Sequence, residues 1–89
     1  MSYAVDIAGP AMRRLSEQLA GSAATACLNF IFGALAESPR RVGHPLREPF
    51  LGQWVARRGE YRIRYEIDEM HRVVHVKDVD HRRSIYRRR

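Results

Sequence analysis

The sequence has 89 residues, of which 45% are hydrophobic and 29% charged, and this composition indicates a single globular domain over residues 1–89 rather than a disordered chain. The single cysteine, Cys27, excludes an internal disulfide framework and favours a reducing compartment. No apolar run reaches membrane-spanning length, and the N-terminus does not have the pattern of a signal peptide.

The net charge of +6 is concentrated in the second part of the chain and consists almost entirely of arginine. Residues 1–39 carry two arginines against three acids, whereas residues 40–89 carry fourteen basic residues, with Lys77 the one lysine, against seven acids. Such a field attracts polyanions but identifies no partner. Nucleic acid, an anionic membrane and an acidic protein all remain open, although the absence of a basic amphipathic helix weakens the membrane interpretation.

The first part of the chain predicts one strand followed by two helices. Apolar residues alternate with smaller or polar ones over residues 3–7, which is typical of a strand, and a Gly-Pro pair then opens a helix over residues 10–19. Ser22 is the expected N-cap of a second helix over residues 23–37, whose apolar residues recur at helical spacing. Ser38, which precedes a proline, ends that helix.

The second part predicts a long loop and then three strands. Residues 40–52 contain two glycines and two prolines and are interpreted as an ordered surface loop. Strands are expected at residues 53–57, 60–67 and 72–79, joined by short turns. The order is β-α-α-β-β-β, and the predicted fold class is α+β: a helical hairpin packed on one face of a small, mainly antiparallel sheet.

Function is expected on the sheet face that the helices leave open. Residues 61–67 alternate without a break, so Arg62, Arg64 and Glu66 share one side of their strand. The other side carries the better core residues, which are Tyr61, Ile63, Tyr65 and Ile67. Because arginine suits bidentate contact with phosphate, the open face is a candidate polyanion-binding surface.

No motif for metal, cofactor or nucleophilic chemistry is convincing. His71 and His75 are four residues apart but fall on a hairpin, without the cysteine or carboxylate cluster that would complete a metal site, so no metal and no cofactor are predicted. The chain has no glycine-rich phosphate loop. Cys27 lies within an apolar helix and is interpreted as a packing residue, and the pair Ser84 and His81 lacks an acid for a triad.

The residues left to carry chemistry are arginines, a histidine and a tyrosine near strand ends. Arg57 and Arg62 flank the first predicted hairpin, and the last strand is followed by His81, Arg82 and Tyr86; in a meander these segments can converge on one rim of the open face. Such a set can cleave RNA without a metal, because the 2′-hydroxyl attacks its own phosphate and arginines stabilise the developing charge. A histidine, or an arginine with an aromatic neighbour, can assist proton transfer. The competing interpretation treats the arginines as solvated or partner-facing charges.

Four segments at their observed intervals resemble the RelE toxins of the RelE/ParE superfamily. They are residues 41–47 (Arg-Val-Gly-His-Pro-Leu-Arg), 51–54 (Leu-Gly-Gln-Trp), 57–65 (Arg-Arg-Gly-Glu-Tyr-Arg-Ile-Arg-Tyr) and 79–86 (Val-Asp-His-Arg-Arg-Ser-Ile-Tyr). The resemblance extends over nearly the whole chain, and it is specific because the segments occur together.

The resemblance implies a bacterial toxin of a type II toxin–antitoxin pair that cleaves mRNA in the ribosomal A site. Arg62 would stabilise the transition-state phosphate, and Arg82 would protonate the leaving group or contact the phosphate. Tyr86 would orient the RNA or stack on it, and His81 would lie beside Arg82. Supporting RNA contacts are expected from Arg57, Arg58, Arg64 and Arg83.

The sequence departs from the family in the strand before the hairpin. RelE toxins carry lysines there that activate the nucleophile and hold RNA, whereas residues 53–57 read Gln-Trp-Val-Ala-Arg. Arg57 can bind phosphate, but its guanidinium stays protonated and is a poor base. His81 and Glu60 are the residues that the sequence offers as the general base.

The resemblance also implies partners, namely a cognate antitoxin that covers the basic face, the ribosome with its mRNA, and operator DNA contacted only through the antitoxin complex. No membrane association is expected, and the expected location is the cytoplasm. Two other functions remain open. One is a ParE-like inhibitor of DNA gyrase, although such proteins generally lack the Arg/Tyr set. The other is a non-catalytic module whose arginines only dock on the antitoxin or the ribosome.

Overall fold

The computed structural model describes residues 2–81, and within that range the chain forms five strands and three helices. In chain order the elements are β1 (Ala4–Ile7), α1 (Gly9–Arg13), α2 (Gly21–Phe30), α3 (Pro39–Val42), β2 (Gly43–Pro45), β3 (Trp54–Arg58), β4 (Tyr61–Asp68) and β5 (Val73–His81). The first two helices continue as π-helical turns, Arg14–Gln18 after α1 and Ile31–Leu35 after α2. No helix in the described range is long and apolar enough to cross a bilayer.

The strands form one sheet in the order β1-β5-β4-β3-β2. The edge strand β1 runs parallel to β5, and every other neighbouring pair is antiparallel. The helices carry buried residues of the same core as the sheet. The predicted α+β class, with helices on a small, mainly antiparallel sheet, is therefore confirmed.

The segment after the second helix differs from the sequence prediction. Residues 39–42 form the short helix α3, and residues 43–45 pair with β3 as the edge strand β2, with Gly43 opposite Ala56. A three-residue strand that contains a glycine and a proline has no alternation by which it could be recognised. Ser22 is not the N-cap of α2, because the helix begins one residue earlier and is preceded by Ala20, which makes no side-chain cap bond.

A bulge in β5 sets the side-chain pattern of the sheet. Arg64 pairs with Asp78 whereas Tyr65 pairs with Val76, so Lys77 is an extra residue without a partner in the register. An extra residue reverses the alternation along a strand. Val76 and Val79, which are three residues apart, can therefore both be fully buried.

The core lies between the helices and one face of the sheet. It combines small and branched side chains, which pack closely over a short span. The helical contribution is Ala11, Leu15, Cys27, Ile31 and Leu35, and the strand contribution is Ala56, Ile63, Tyr65, Val74, Val76 and Val79. This confirms the predicted core side of β4 for Ile63 and Tyr65, which are both fully buried.

Tyr65 also fixes the start of the edge strand. Its hydroxyl donates a hydrogen bond of 2.6 Å to the carbonyl oxygen of Pro39, the first residue of α3. Gly43 directly follows α3 and packs closely against the sheet. A Cβ at this position would lie 2.2 Å from the Tyr65 hydroxyl and 2.6 Å from the carbonyl oxygen of Val55. Only glycine fits at this position, and the fit determines where β2 lies on the sheet.

Candidate nucleic-acid interface

The open face of the sheet carries two rows of side chains that cross its strands. One row consists of Arg57 on β3, Arg62 on β4 and Asp80 on β5, which are opposite one another in register. The neighbouring row consists of His44, Val55, Arg64 and Asp78 on β2 to β5. Residues directly opposite each other in antiparallel strands have Cα atoms about 4.5–5.5 Å apart. The two rows therefore form a compact charged surface.

Above these rows lies an open groove of about 660 Å³. Its polar lining is His44, Arg57, Arg62, Arg64 and Asp80, and its apolar lining is Val42, Leu46, Phe50, Val55 and Ala56. Guanidinium groups beside apolar surface suit a nucleotide, which presents a phosphate and the flat face of a base.

Two carboxylates of β5 hold arginines at the edge of the groove. Arg14, in the turn that continues α1, has its Nη1 2.7 Å from Oδ1 of Asp80 and its Nε 3.6 Å from Oδ1 of Asp78. The other oxygen of Asp78 is 3.6 Å from Nη2 of Arg64. Asp78 is only 8% exposed, and its Oδ1 also accepts a hydrogen bond from the amide of Val79 at 2.8 Å. These contacts hold Asp78 in place between Arg14 and Arg64, with its carboxylate at ion-pair distance from both.

Arg64 has two further contacts that hold the preceding loop against the sheet. Its Nη1 donates a hydrogen bond of 2.7 Å to Oε1 of Gln53, and its guanidinium carbon lies 4.8 Å from the centre of the Phe50 ring. A guanidinium over an aromatic ring is attracted by the ring quadrupole. Several donors of Arg64 are thus engaged within the protein, so the more accessible phosphate ligands of the groove are the exposed Arg57 and the half-buried Arg62.

The structure brings three of the site residues predicted from sequence together and separates two others from them. Arg57, Arg62 and Arg64 all line the groove. Arg58 and His81 share the row of Tyr61, which packs against the core, and they line a smaller cavity of about 240 Å³ beside α2. They therefore lie on the helix side of the sheet.

The position of His81 follows from the length of its strand. β5 continues two residues beyond the predicted end at residue 79, so alternation places Asp80 on the open face and His81 on the opposite one. Nε2 of His81 is 3.0 Å from Oε1 of Glu60, and its ring meets that of Tyr61 edge to face with centroids 5.1 Å apart. The expected convergence of His81 with Arg62 on the open face is not observed. The two residues offered as the base, His81 and Glu60, contact each other instead.

The remaining site predictions fall outside the described range. Arg82, Arg83 and Tyr86 lie beyond residue 81. Within residues 2–81 no group of three or more His, Cys, Asp or Glu side chains is arranged to hold a metal ion.

Two titratable side chains outside the groove, Cys27 and Asp68, have shifted pKa values. Cys27, interpreted as a packing residue, is 1% exposed; burial raises the pKa of its thiol, and nearby Arg58 offsets part of the rise. At the far end of the sheet the pKa of Asp68 is lowered, chiefly by hydrogen bonds from the side chain and the backbone of His71.

Sequence reasoning missed four residues of the groove region: Arg14, His44, Phe50 and Asp80. Asp80 could have been predicted from the sequence. Its strand has acids that alternate with a buried valine and lies beside an arginine-bearing strand, and this pattern indicates cross-strand ion pairs. The other three could not, since Arg14 comes from the turn after α1, Phe50 from a loop and His44 from a three-residue edge strand, and only the tertiary fold brings them to the groove.

Comparisons with known proteins agree with this architecture. Residues 7–86 match the family model described as the ParE toxin of the type II toxin–antitoxin system parDE. The chain is 44% identical to Toxin RelG of Mycobacterium tuberculosis over 99% of its own length and 100% of that protein. It is 41% identical to Toxin RelE of the same organism over 96% of this chain and 87% of that protein.

Solved structures show the same fold. The toxin–antitoxin complex RelBE2 from Mycobacterium tuberculosis contains a chain that matches with a TM-score of 0.87 and 41% identity, over 91% of this chain and 99% of that one. The isolated RelE toxin of E. coli matches with a TM-score of 0.71 over 97% of this chain and 98% of that one, and at 19% identity it supports the fold alone. The chain therefore belongs to the RelE/ParE superfamily of type II toxin–antitoxin toxins and is a toxin of the RelE/RelG type.

Proposed function

We propose that this toxin is a ribosome-dependent endoribonuclease that inhibits translation by cleaving mRNA in the A site. The observation that supports the proposal best is the groove, where Arg57 and Arg62 lie side by side on one cross-strand row next to apolar surface. A phosphate can be held between the two guanidinium groups while the adjacent base covers Val55 and Phe50.

The chemistry needs no metal in this proposal. The 2′-hydroxyl of one nucleotide attacks the adjacent phosphate, and the negative charge on the phosphoryl oxygens increases in the transition state. Arg62 is suited to stabilise that charge, because its side chain is half-buried on an inner strand of the sheet and is aligned opposite Asp80. Fixed donors of this kind typically contribute about 10²–10³-fold to a rate.

The tail residues keep the roles that the family resemblance implies. Arg82 is proposed as the leaving-group acid or a second phosphate ligand, and Tyr86 as the residue that orients or stacks on the RNA. Arg58 and Arg83 are proposed only as electrostatic support, together with Arg64, whose donors already bind Gln53 and Asp78. We propose that the ribosome holds the mRNA in the conformation needed for cleavage, because so small a protein does not enforce that conformation by itself.

A cognate antitoxin is the proposed partner outside the ribosome. The similar chain of known structure was solved in a toxin–antitoxin complex, and the net charge of +6 suits an acidic segment that covers the groove. DNA contacts in such a complex are assigned to the antitoxin. The cytoplasm, where ribosomes and antitoxin are present, is the proposed location.

Expression of the toxin with and without its antitoxin tests the proposal. We expect growth arrest and new mRNA 5′ ends at codon positions of translated messages, mapped by primer extension, with untranslated RNA spared. The family model carries the ParE description, so the alternative of gyrase inhibition is specific: it predicts DNA-damage (SOS) induction with intact mRNA. Stalled translation without new RNA ends would indicate a non-catalytic module.

A further inference from the structure

The groove supplies phosphate ligands, but the cleavage reaction also requires a group that takes the proton of the 2′-hydroxyl. Arginines cannot serve, because their guanidinium groups stay protonated. His81 and Glu60 contact each other on the helix side of the sheet. Among the residues described as lining the groove, only His44 and Asp80 have side chains that can accept a proton.

Asp80 is engaged in an ion pair within the protein. Its Oδ1 is 2.7 Å from Nη1 of Arg14, and it lies opposite Arg62 in the register of the sheet. The Asp80 side chain is 13% exposed and is already paired with Arg14, so a substrate hydroxyl would have to displace Arg14 in order to reach that oxygen.

His44 is an exposed imidazole on the same face of the sheet. It lies opposite Val55, which in turn lies opposite Arg64, and it lines the groove together with the arginines. Its neighbour Gly43 is packed against the hydroxyl of Tyr65 and the backbone of Val55. This contact fixes the edge strand, so the direction of the imidazole is set by the sheet rather than by a free loop.

The dimensions of the sheet allow His44 and Arg62 to act on one nucleotide. The two residues are two strands apart and two positions apart along the strands, so strand spacing and rise place their Cα atoms about 12 Å from each other. Both side chains line the groove, and each can reach toward a ribose and its 3′-phosphate bound between them.

On this geometry, and given the proposed ribonuclease function, we infer that His44 is the general base of the reaction. The 2′-oxygen forms a bond to phosphorus and transfers its proton to the unprotonated ring nitrogen of His44, while the bond between phosphorus and the 5′-oxygen breaks. The 5′-oxygen takes a proton from the leaving-group acid proposed above or from water, and the imidazolium returns its proton to solvent. The products are a 2′,3′-cyclic phosphate and a 5′-hydroxyl.

The charged groups that share the groove with His44 come from three neighbouring strands: Arg57 from β3, Arg62 and Arg64 from β4, and Asp80 from β5. Arg62 is the phosphate ligand, and Arg57 is placed beside it on the same row. In this arrangement the base lies on the edge strand and the phosphate ligands on the two strands next to it.

Single-turnover cleavage of mRNA in purified ribosome complexes tests the inference with His44→Ala and His44→Gln. We expect both variants to cleave about 10²–10⁴-fold more slowly than the parent while they bind the ribosome within about twofold of it. Added imidazole should restore cleavage by His44→Ala about tenfold or more, should accelerate the parent little, and should leave Arg62→Ala slow. Because His44 is exposed, both variants should retain the thermal stability of the parent.

Two results would overturn the assignment. Cleavage by His44→Gln at the parental rate would exclude His44 from the chemistry. Slow cleavage by His44→Ala that imidazole does not restore would show a contact role without proton transfer. If the parent itself leaves mRNA intact on the ribosome, the proposed ribonuclease function fails, and the assignment of a base fails with it.

Discussion

Replacement of Tyr65 by phenylalanine removes one buried oxygen and leaves the ring in place. The ring is fully buried, so the packing of the core is retained, and the change isolates the 2.6 Å hydrogen bond to the Pro39 carbonyl. Loss of a partner by a buried acceptor costs about 1–3 kcal/mol. For a domain of this size each kcal/mol lowers the melting temperature by about 4–8 °C.

The same substitution has a predicted pH dependence. Burial raises the pKa of Tyr65 from 10.0 to about 12, so the folded protein holds the neutral phenol in a range where the unfolded chain ionises. The stability that Tyr65 contributes is therefore complete below pH 10 and is lost as the pH rises toward 12. The loss follows a slope of about 1.4 kcal/mol per pH unit.

Urea unfolding of the parent and Tyr65→Phe, followed by circular dichroism between pH 8 and pH 11.5, measures both effects. We expect the variant to be less stable at pH 8 and the difference to narrow steadily above pH 10. Tyr3→Phe is the matched control, because its hydroxyl contacts Glu69 at the surface, and it should change stability by less than about 0.5 kcal/mol. Equal stabilities of parent and Tyr65→Phe at pH 8, or parallel curves up to pH 11.5, would refute the reasoning.

Three further predictions concern the framework of the groove and the core beneath the sheet. Gly43→Ala should lower the melting temperature. In a Tyr65→Phe background the same substitution should lower it less, because the phenyl ring lacks the oxygen that lies 2.2 Å from the added Cβ. Strict additivity of the two substitutions in a double-mutant cycle would contradict the contact. Arg14→Ala should lower the free energy of unfolding, measured in urea, by about 1–3 kcal/mol, because Arg14 pairs with two carboxylates of β5. Arg13→Ala, at the exposed neighbouring position, should lower it by less than about 0.5 kcal/mol. Equal effects of the two substitutions would exclude a stabilising role of these ion pairs. Cys27 should react with a thiol reagent only upon unfolding, because it is 1% exposed and burial raises the pKa of its thiol; rapid labelling of the native protein would be inconsistent with its packing role.

The features that follow from local alternation could be predicted from the sequence. The period of two along residues 61–67 assigns Ile63 and Tyr65 to the core, and both are fully buried. It assigns Arg62 and Arg64 to the other face, where they line the groove. Each of these assignments depends only on neighbours along one strand, so no tertiary information was needed.

The features that depend on pairing between distant segments could not be predicted. The edge strand that carries His44 is three residues long and is a strand only because it pairs with β3, about ten residues later in the chain. Taken alone, the segment has the composition of a loop. The bulge at Lys77 has no signature in the sequence, since two valines spaced by three residues do not reveal a shared face.

The extent of β5 determined which residues share the site. A strand that ends at residue 79 would leave His81 free to turn toward Arg62, whereas the observed strand continues to His81 and alternation directs it to Tyr61. The boundary of an element is the part that sequence patterns specify least, because end residues have few pairing constraints. Because β5 ends two residues later than predicted, His81, one of the two residues expected as the base, lies on the opposite face of the sheet from Arg62.

The rate of mRNA cleavage by Arg62→Ala on purified ribosome complexes tests the central claim that the arginine-lined groove is a ribonuclease site. Arg13→Ala, which removes the same charge from an exposed position on α1, is the control. We predict that Arg62→Ala cleaves about 10²–10³-fold more slowly than the parent and that Arg13→Ala cleaves at the parental rate with a 2′,3′-cyclic phosphate end. Parental cleavage by Arg62→Ala, or an equal loss in both variants, would contradict the claim.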